Sequence, residues 1–302
     1  VLVQRFLEDS ARQYPAKTAL VCGGQRLTYQ EIEATANRLA HALQALGLQR
    51  GDRVVIFLDN SPEVAISIFA ALKAGGVFVI VNPTTKIDKL AYILNNCCAR
   101  VVITQASKVR PLAEEQPALP HLSAIVVARG EVESPPRAIP CLSLEGLLAR
   151  HTADTLPPQN PCIDIDLAAL IYTSGSMGNP KGVMLTHRNM VAAATSITTY
   201  LENQPDDIIL NVLPLSFDYG LYQMLMAFKI GGTLILERSF AYPYAVIETL
   251  RRENVTGFPL VPTILAILLQ LDLSKHRLPA LRYITNTGAA LPTPHIARLR
   301  QL

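Results

Sequence analysis

The sequence predicts an α/β fold built on a parallel, doubly wound sheet. The first observation is that short apolar runs of strand type fall at residues 53–58, 77–81 and 100–104, with helix-length stretches between them. Strands separated by helices of that length need crossover connections, and these place helices over a parallel sheet. Second, the rhythm resumes further on, with strand-like runs at 167–172, 208–212, 232–236 and 281–285. Third, half of the 302 residues are hydrophobic, which excludes a disordered chain and supplies enough apolar surface for about two domains or lobes.

Each element has a local cause. Thr28-Tyr29-Gln30-Glu31 is a capping box that opens a helix carrying Ile32, Ala36, Leu39, Leu43 and Leu46, and Gly47 stands where a left-handed C-terminal cap is needed. Ser61-Pro62 supplies an N-cap and a proline at the first helical position, and the helix that follows runs to Lys73 before Gly75-Gly76 breaks it. Asn82-Pro83 ends the strand at 77–81, and a helix is expected over 86–95. Six prolines between 135 and 161 mark the stretch 129–161 as the connection between lobes. The expected division is 1–160 and 161–302. No repeat of 20–50 residues is present.

Composition narrows the function. The formal net charge is +3 and charged residues make up only 17%, with Lys and Arg scattered, so a nucleic-acid or anionic-membrane surface is not expected. The apolar stretches at 64–81 and 255–271 are interrupted by Lys73 and Gly75-Gly76, and by Pro259 and Pro262, and read as buried core rather than membrane spans. No signal segment opens the chain, and the expected location is cytoplasmic. Five cysteines form no C-x-x-C pair and read as reduced structural thiols; the six histidines show no metal-ligand spacing.

The chemistry concentrates in Tyr172-Thr173-Ser174-Gly175-Ser176-Met177-Gly178-Asn179-Pro180-Lys181-Gly182-Val183, which follows a buried strand and precedes a helix expected from His187. Glycines let the backbone approach a polyanion and aim N–H groups at it, hydroxyls add donors, and Lys181 adds a point charge. These residues form a candidate phosphate cradle. A merely flexible loop would account for the Gly and Ser but not for Pro-Lys-Gly at a strand end. The Walker spacing fails because Pro180 precedes the lysine, and no G-x-G-x-x-G is present, which disfavours an oxidoreductase reading.

This stretch resembles the phosphate-binding signature of the adenylate-forming superfamily of acyl-CoA synthetases, peptide-synthetase adenylation domains and luciferases, with Met177 where Thr is usual. Leu27-Thr28-Tyr29, Leu72-Lys73-Ala74-Gly75-Gly76, Val81-Asn82-Pro83, Thr186-His187-Arg188-Asn189 and Gly288-Ala289-Ala290-Leu291-Pro292 extend the resemblance along the chain. It implies the large N-terminal domain of such an enzyme, with two stacked, mostly parallel sheets and flanking helices. It implies ATP and Mg²⁺, acyl-AMP formation with release of pyrophosphate, and transfer to a thiol of CoA or of a carrier protein. Thr173, Ser174, Gly175, Ser176, Gly178 and Lys181 would hold the phosphates, with Lys181 offsetting leaving-group charge, and Gly288, Ala289 and Ala290 would line the adenine site. The chain ends at Leu302, before the family's Y-G-x-T-E motif, so a piece of a longer enzyme, inactive alone, is expected; its metal ligands are unassigned.

For the acid, Leu213-Pro214-Leu215-Ser216-Phe217-Asp218-Tyr219-Gly220 is the informative stretch. Phe217 stands where acyl-CoA synthetases carry a gating His, and Phe217-Asp218 resembles the F-D-x-S of amino-acid-adenylating domains, with Gly220 in place of the Ser. Asp218 then pairs with a substrate ammonium, or else it is a turn or capping residue. The apolar neighbours Phe217, Tyr219, Leu221, Phe258 and Val261 favour a small amino or imino acid, proline first. A fatty or aryl acyl-CoA ligase and a non-catalytic nucleotide-binding fragment are the competing readings.

Overall fold

The computed structural model describes residues 1–114, 119–132, 139–151, 156–173, 179–271 and 277–299. The first half of the chain runs α1 (Arg5–Gln13), β1 (Thr18–Cys22), β2 (Gln25–Thr28), α2 (Tyr29–Ala45), β3 (Arg53–Phe57), α3 (Pro62–Lys73), β4 (Val77–Ile80), α4 (Ile87–Asn96), β5 (Ala99–Gln105), α5 (Ala106–Glu114), β6 (Ala124–Arg129), β7 (Cys141–Ser143) and α6 (Leu144–Arg150). The second half runs β8 (Leu167–Thr173), β9 (Lys181–Thr186), α7 (His187–Tyr200), β10 (Ile208–Asn211), α8 (Asp218–Ile230), β11 (Thr233–Leu236), α9 (Pro243–Arg252), β12 (Gly257–Leu260), α10 (Pro262–Leu268), β13 (Tyr283–Asn286) and α11 (Thr293–Leu299).

These strands form two sheets, one ordered β13-β12-β10-β11-β1-β2 and the other β7-β6-β5-β3-β4-β8-β9. Each is parallel except for one antiparallel hairpin at its edge, β1–β2 in the first and β8–β9 in the second. Side-chain alternation along the strands sorts the interior into three apolar layers. Val54 and Ile56 face a core shared with Leu234 and Leu236 of the other sheet and filled by helices α1, α2, α3 and α8. Val55 and Phe57 face the opposite way, against Leu90 and Leu94 of α4 and Val109 and Leu112 of α5. On the far side of the six-stranded sheet, Leu210, Ile235 and Phe258 pack under α9 and α10. Stacked, mostly parallel sheets with helices between and outside them are what the sequence led us to expect.

The local signals hold in detail. The Thr28 side chain accepts from Glu31 N, and the Glu31 carboxylate accepts from Thr28 N in return. Gly47 takes φ +85°, the left-handed conformation that glycine adopts without steric cost. Ser61 holds the N-cap position of α3, but its Oγ makes no capping bond. The helix expected over 86–95 is α4, one residue later. All five cysteines are free thiols. The stretch at 64–81 is α3 and β4, and among the described residues no helix is long and apolar enough to cross a membrane.

Three expectations need correction. The stretch 129–161 is not a bare connection, because β7 and α6 lie within it and β7 extends the seven-stranded sheet. The sheets do not divide at residue 160: β8 and β9 pair with the first sheet to be built, and β1 and β2 join the strands formed last. Between the phosphate-loop segment and α7 stands the strand β9, whose half-exposed residues at the sheet edge lack the apolar alternation that marks a strand in sequence.

Candidate active site

In an open α/β sheet ligands bind in the crevice outside the carboxyl ends of the strands. The carboxyl ends of β4, β8, β10 and β13 converge here on two adjoining cavities. One, of about 740 Å³, is walled mainly by apolar side chains of β8, β9 and α7, with Ser216, Phe217, Asp218 and Thr287 at its rim. The other, of about 420 Å³, runs from Val81 and Asn82 past Lys89 to Pro180. Tyr172, Thr173, Ser216 and Phe217 border both.

The β8–β9 hairpin brings the predicted phosphate-binding residues to this junction. Thr173 pairs with Lys181 across it, and Tyr172 pairs with Gly182. A Cβ at Gly182 would lie 3.2 Å from Tyr172 Cζ, so the glycine leaves room for that ring. The Tyr172 hydroxyl donates to Asn96 Oδ1, and burial pushes its phenol up from the ordinary range. Lys181 is exposed at the start of β9. Ser174, Gly175, Ser176, Met177 and Gly178 lie outside the described residues.

On the opposite wall, Phe217 is the N-cap of α8 and Asp218 its first residue. Both are exposed to the cavity, and Asp218 Oδ1 accepts from Tyr219 N at 2.7 Å. The carboxylate therefore does two things at once: it satisfies a free amide in the first helical turn and presents its charge at the cavity rim. That charge reaches Tyr222, one turn along the helix, whose phenol is pushed up to about 12, by burial first and by Asp218 second. The Tyr219 hydroxyl donates to Thr285 Oγ1 at 2.6 Å, tying α8 to β13, and burial pushes this phenol up to about 12 as well.

Gly220 answers a question that the sequence leaves open. A Cβ there would lie 2.4 Å from Pro214 O and 3.1 Å from Leu213 O, so α8 seats directly on this backbone and no side chain fits. The supposed apolar surround of Asp218 is partly wrong. Leu221 and Phe258 belong to the core layers, and Val261 packs against the core under the six-stranded sheet. Their apolar patterning could not reveal which side of the sheet they face. The residues that the sequence reading overlooked are Ser216, Tyr222 and Thr287. Tyr222, four residues after Asp218, is on the same helical face and was the one with a legible signal.

Gly288 follows β13 with φ +88°, and Asn286 Nδ2 donates to Ala289 O at 2.8 Å, closing a turn that exposes Gly288, Ala289 and Ala290 beside Thr287. The site thus juxtaposes a hairpin bearing a hydroxyl and a lysine, a small-residue turn, and an apolar cavity with one carboxylate at its rim. Among the described residues no group of three or more His, Cys, Asp or Glu side chains gathers to hold a metal.

Residues 7–302 match the family described as AMP-binding enzyme. The chain is 33% identical over 294 residues to tyrocidine synthase 1 of Brevibacillus parabrevis, covering 97% of this chain and 25% of that protein. It is 30% identical over 308 residues to the L-proline–[L-prolyl-carrier protein] ligase of Streptomyces coelicolor, covering 99% and 56%. The structure of the anthranilate CoA ligase AuaEII in complex with anthranoyl-AMP superposes with a TM-score of 0.91 at 27% identity, covering 100% of this chain and 57% of that one. The chain spans between a quarter and just over half the length of these proteins.

Proposed function

Because the chain belongs to the AMP-binding enzyme family, we propose that it forms the nucleotide- and acid-binding part of an ATP-dependent ligase that activates an amino or imino acid as its adenylate. The observation that carries the acid is Asp218, a carboxylate at the rim of an otherwise largely apolar cavity. An ammonium there gains a charge-assisted bond, and a small apolar side chain fills the space behind it. Proline is the first candidate, and a relative that is an L-proline–carrier-protein ligase supports it. The acceptor would then be a carrier-protein thiol.

The step itself requires the carboxylate oxygen of the acid to attack the α-phosphorus of ATP while the bond to the β-phosphate oxygen breaks and pyrophosphate departs with its electron pair. The transition state spreads charge over the phosphoryl oxygens, so positioning and electrostatic stabilisation are the protein's main contributions. Lys181 and the Thr173 hydroxyl, opposite one another at the hairpin mouth, would orient the phosphates and offset the leaving-group charge. Gly288, Ala289 and Ala290 offer a thin wall that a flat base can approach closely. Mg²⁺ would be held chiefly through the ligand's phosphates, as this ion usually is.

A second reading has its own support. Asp218 Oδ1 is already occupied by Tyr219 N, and Ile171, Val183, Leu185 and Ile197 would equally suit an aryl or fatty chain, as in an acyl-CoA ligase. Calorimetric titration with prolyl-, anthraniloyl- and dodecanoyl-sulfamoyl-adenosine separates the two. The amino-acid reading expects the prolyl compound to bind tightest and to lose about tenfold or more in affinity in Asp218→Asn, the worth of a charge-assisted bond at a partly solvated site. Tighter binding of an uncharged acyl compound, indifferent to Asp218→Asn, would give the site to the acyl-CoA ligase reading.

A further inference from the structure

We propose that Asn60 is a positioning residue for the acid pocket: from outside both cavities it clamps the segment that delivers Phe217 and Asp218. Asn60 lies between β3 and α3, on the side of the seven-stranded sheet, and is buried. Its Nδ2 donates to Leu213 O at 3.0 Å and to Glu237 O at 2.9 Å, and its Oδ1 accepts from Leu215 N at 2.9 Å. Leu213 and Leu215 follow β10, and Glu237 follows β11, both strands of the six-stranded sheet. One side chain therefore uses both donors and its acceptor to join the carboxyl ends of two sheets that share no strand pairing.

The segment is gripped a second time from its own sheet. Asn211 Nδ2 donates to Leu213 O and to Gly220 O, each at 3.2 Å, and Asn211 Oδ1 accepts from Leu213 N at 3.0 Å. Asn211 alone could fix the segment to β10; it could not fix β10 relative to β8, which forms the opposite wall of the cavity. Asn60 supplies that cross-sheet tie. Phe217 N in turn donates to Pro214 O at 3.1 Å, and Gly220 seats on the same carbonyl. The distance from Asp218 to Thr173 across the cavity is thus set through a buried amide that lines neither cavity, and a buried amide whose partners are all backbone is a rigid spacer.

The test is Asn60→Leu, which keeps the branched shape and removes all three bonds, with Asn60→Ser as a smaller variant that leaves room for water should the first not fold. Ser61→Ala is the reference, because the neighbouring Ser61 Oγ is buried and has no hydrogen-bond partner among the described residues. In the unliganded chain, Asn60→Leu or Asn60→Ser should speed amide exchange at 215–219 by about tenfold or more while β5 keeps its protection, as expected when a local opening loses its restraint. The substitution should also weaken prolyl-sulfamoyl-adenosine by about tenfold while AMP affinity changes less than about twofold, since only the acid pocket loses its wall. Unchanged exchange at 215–219, or equal loss of both ligands, overturns the proposal. The ligand comparison rests on the amino-acid reading of Asp218. A wild type that binds the prolyl compound no tighter than AMP sinks that reading, and the exchange result then decides the clamp by itself.

Discussion

Two glycines in this protein occupy the same helical position with opposite expected responses to a methyl group. Gly220 and Gly146 are each the third residue of their helix, α8 and α6. A Cβ on Gly220 would come within 2.4 Å of Pro214 O, and to restore even 3.0 Å the helix or the carbonyl must shift by at least 0.6 Å. Neither yields cheaply, because the adjoining Leu213 carbonyl is held by both Asn60 and Asn211. Overpacking of this kind costs about 1–3 kcal/mol. The gain in helix propensity on replacing Gly by Ala returns at most about 1 kcal/mol. Even with that return at its maximum, Gly220→Ala should lose up to about 2 kcal/mol net, and Gly220→Ser at least as much, since the hydroxyl adds to the same Cβ. On Gly146 the nearest atom to a new Cβ is Ser143 Cβ at 3.7 Å, ordinary contact, so Gly146→Ala should gain about 0.5–1 kcal/mol. Urea unfolding of the three proteins, followed by far-UV circular dichroism, measures both signs in one experiment. A Gly220→Ala protein as stable as the parent, or both variants moving in the same direction, refutes the contact argument.

Other perturbations follow from the same structure. His187 is buried at the start of α7 with its Nδ1 accepting from Val3 N at 3.1 Å, and burial chiefly holds its imidazole down at about 4, against an ordinary 6.5. The unfolded chain therefore takes up the proton first as pH falls. The stability linked to His187 is complete above about pH 6.5 and declines toward pH 4 by on the order of 3 kcal/mol; a thermal-melt series from pH 7 to 5 should show this slope, and His187→Gln should flatten it. Lys73 has a fully buried side chain between Glu8, at 3.0 Å, and Glu33, at 2.8 Å. Lys73→Met should cost about 3–5 kcal/mol by leaving two carboxylates facing each other, and adding Glu8→Gln and Glu33→Gln should recover most of it in urea titrations. Lys181→Ala should weaken ATP by about tenfold or more while leaving unfolding unchanged, measured by calorimetry and melting together.

How much of this was readable beforehand depends on the range of the interaction involved. The capping box at Thr28 and Glu31, the glycine after α2 and the proline at the start of α3 act within a few residues, and each stands where the sequence puts it. The buried strands β3, β4, β5, β8, β10 and β11 were also legible, because burial on both faces demands an unbroken apolar run. The edge strand β9 was not, since its Val183-Met184-Leu185 run is short and lacks the apolar alternation that marks a half-exposed strand. Sheet membership was invisible altogether: nothing in Leu20 or Val21 says that their partners are Leu234 and Ile235. For the site, the sequence singled out Asp218 and Lys181, and the fold sets the first against the apolar cavity and the second at the start of β9. Their surroundings were not legible, because Leu221 and Phe258 look alike in sequence whether they line a cavity or fill a core.

That pairing of β1 with β11 also orders events in time. Strands β3 to β6 are contiguous in the chain and can close among themselves soon after they are made. Strand β1 cannot, as its parallel partner lies more than 200 residues downstream, and closing so long a loop is entropically costly and slow. At synthesis rates of about 5–20 residues per second, the interval before β11 emerges is roughly 10–40 s. Through that interval the β1–β2 hairpin presents an apolar, unpaired edge bearing Leu20 and Val21, the kind of edge on which chains associate wrongly. Expression products that stop before Leu236 should therefore aggregate although their seven-stranded sheet is nearly complete, and moving residues 1–28 to follow β11 in a permuted gene should raise the soluble yield.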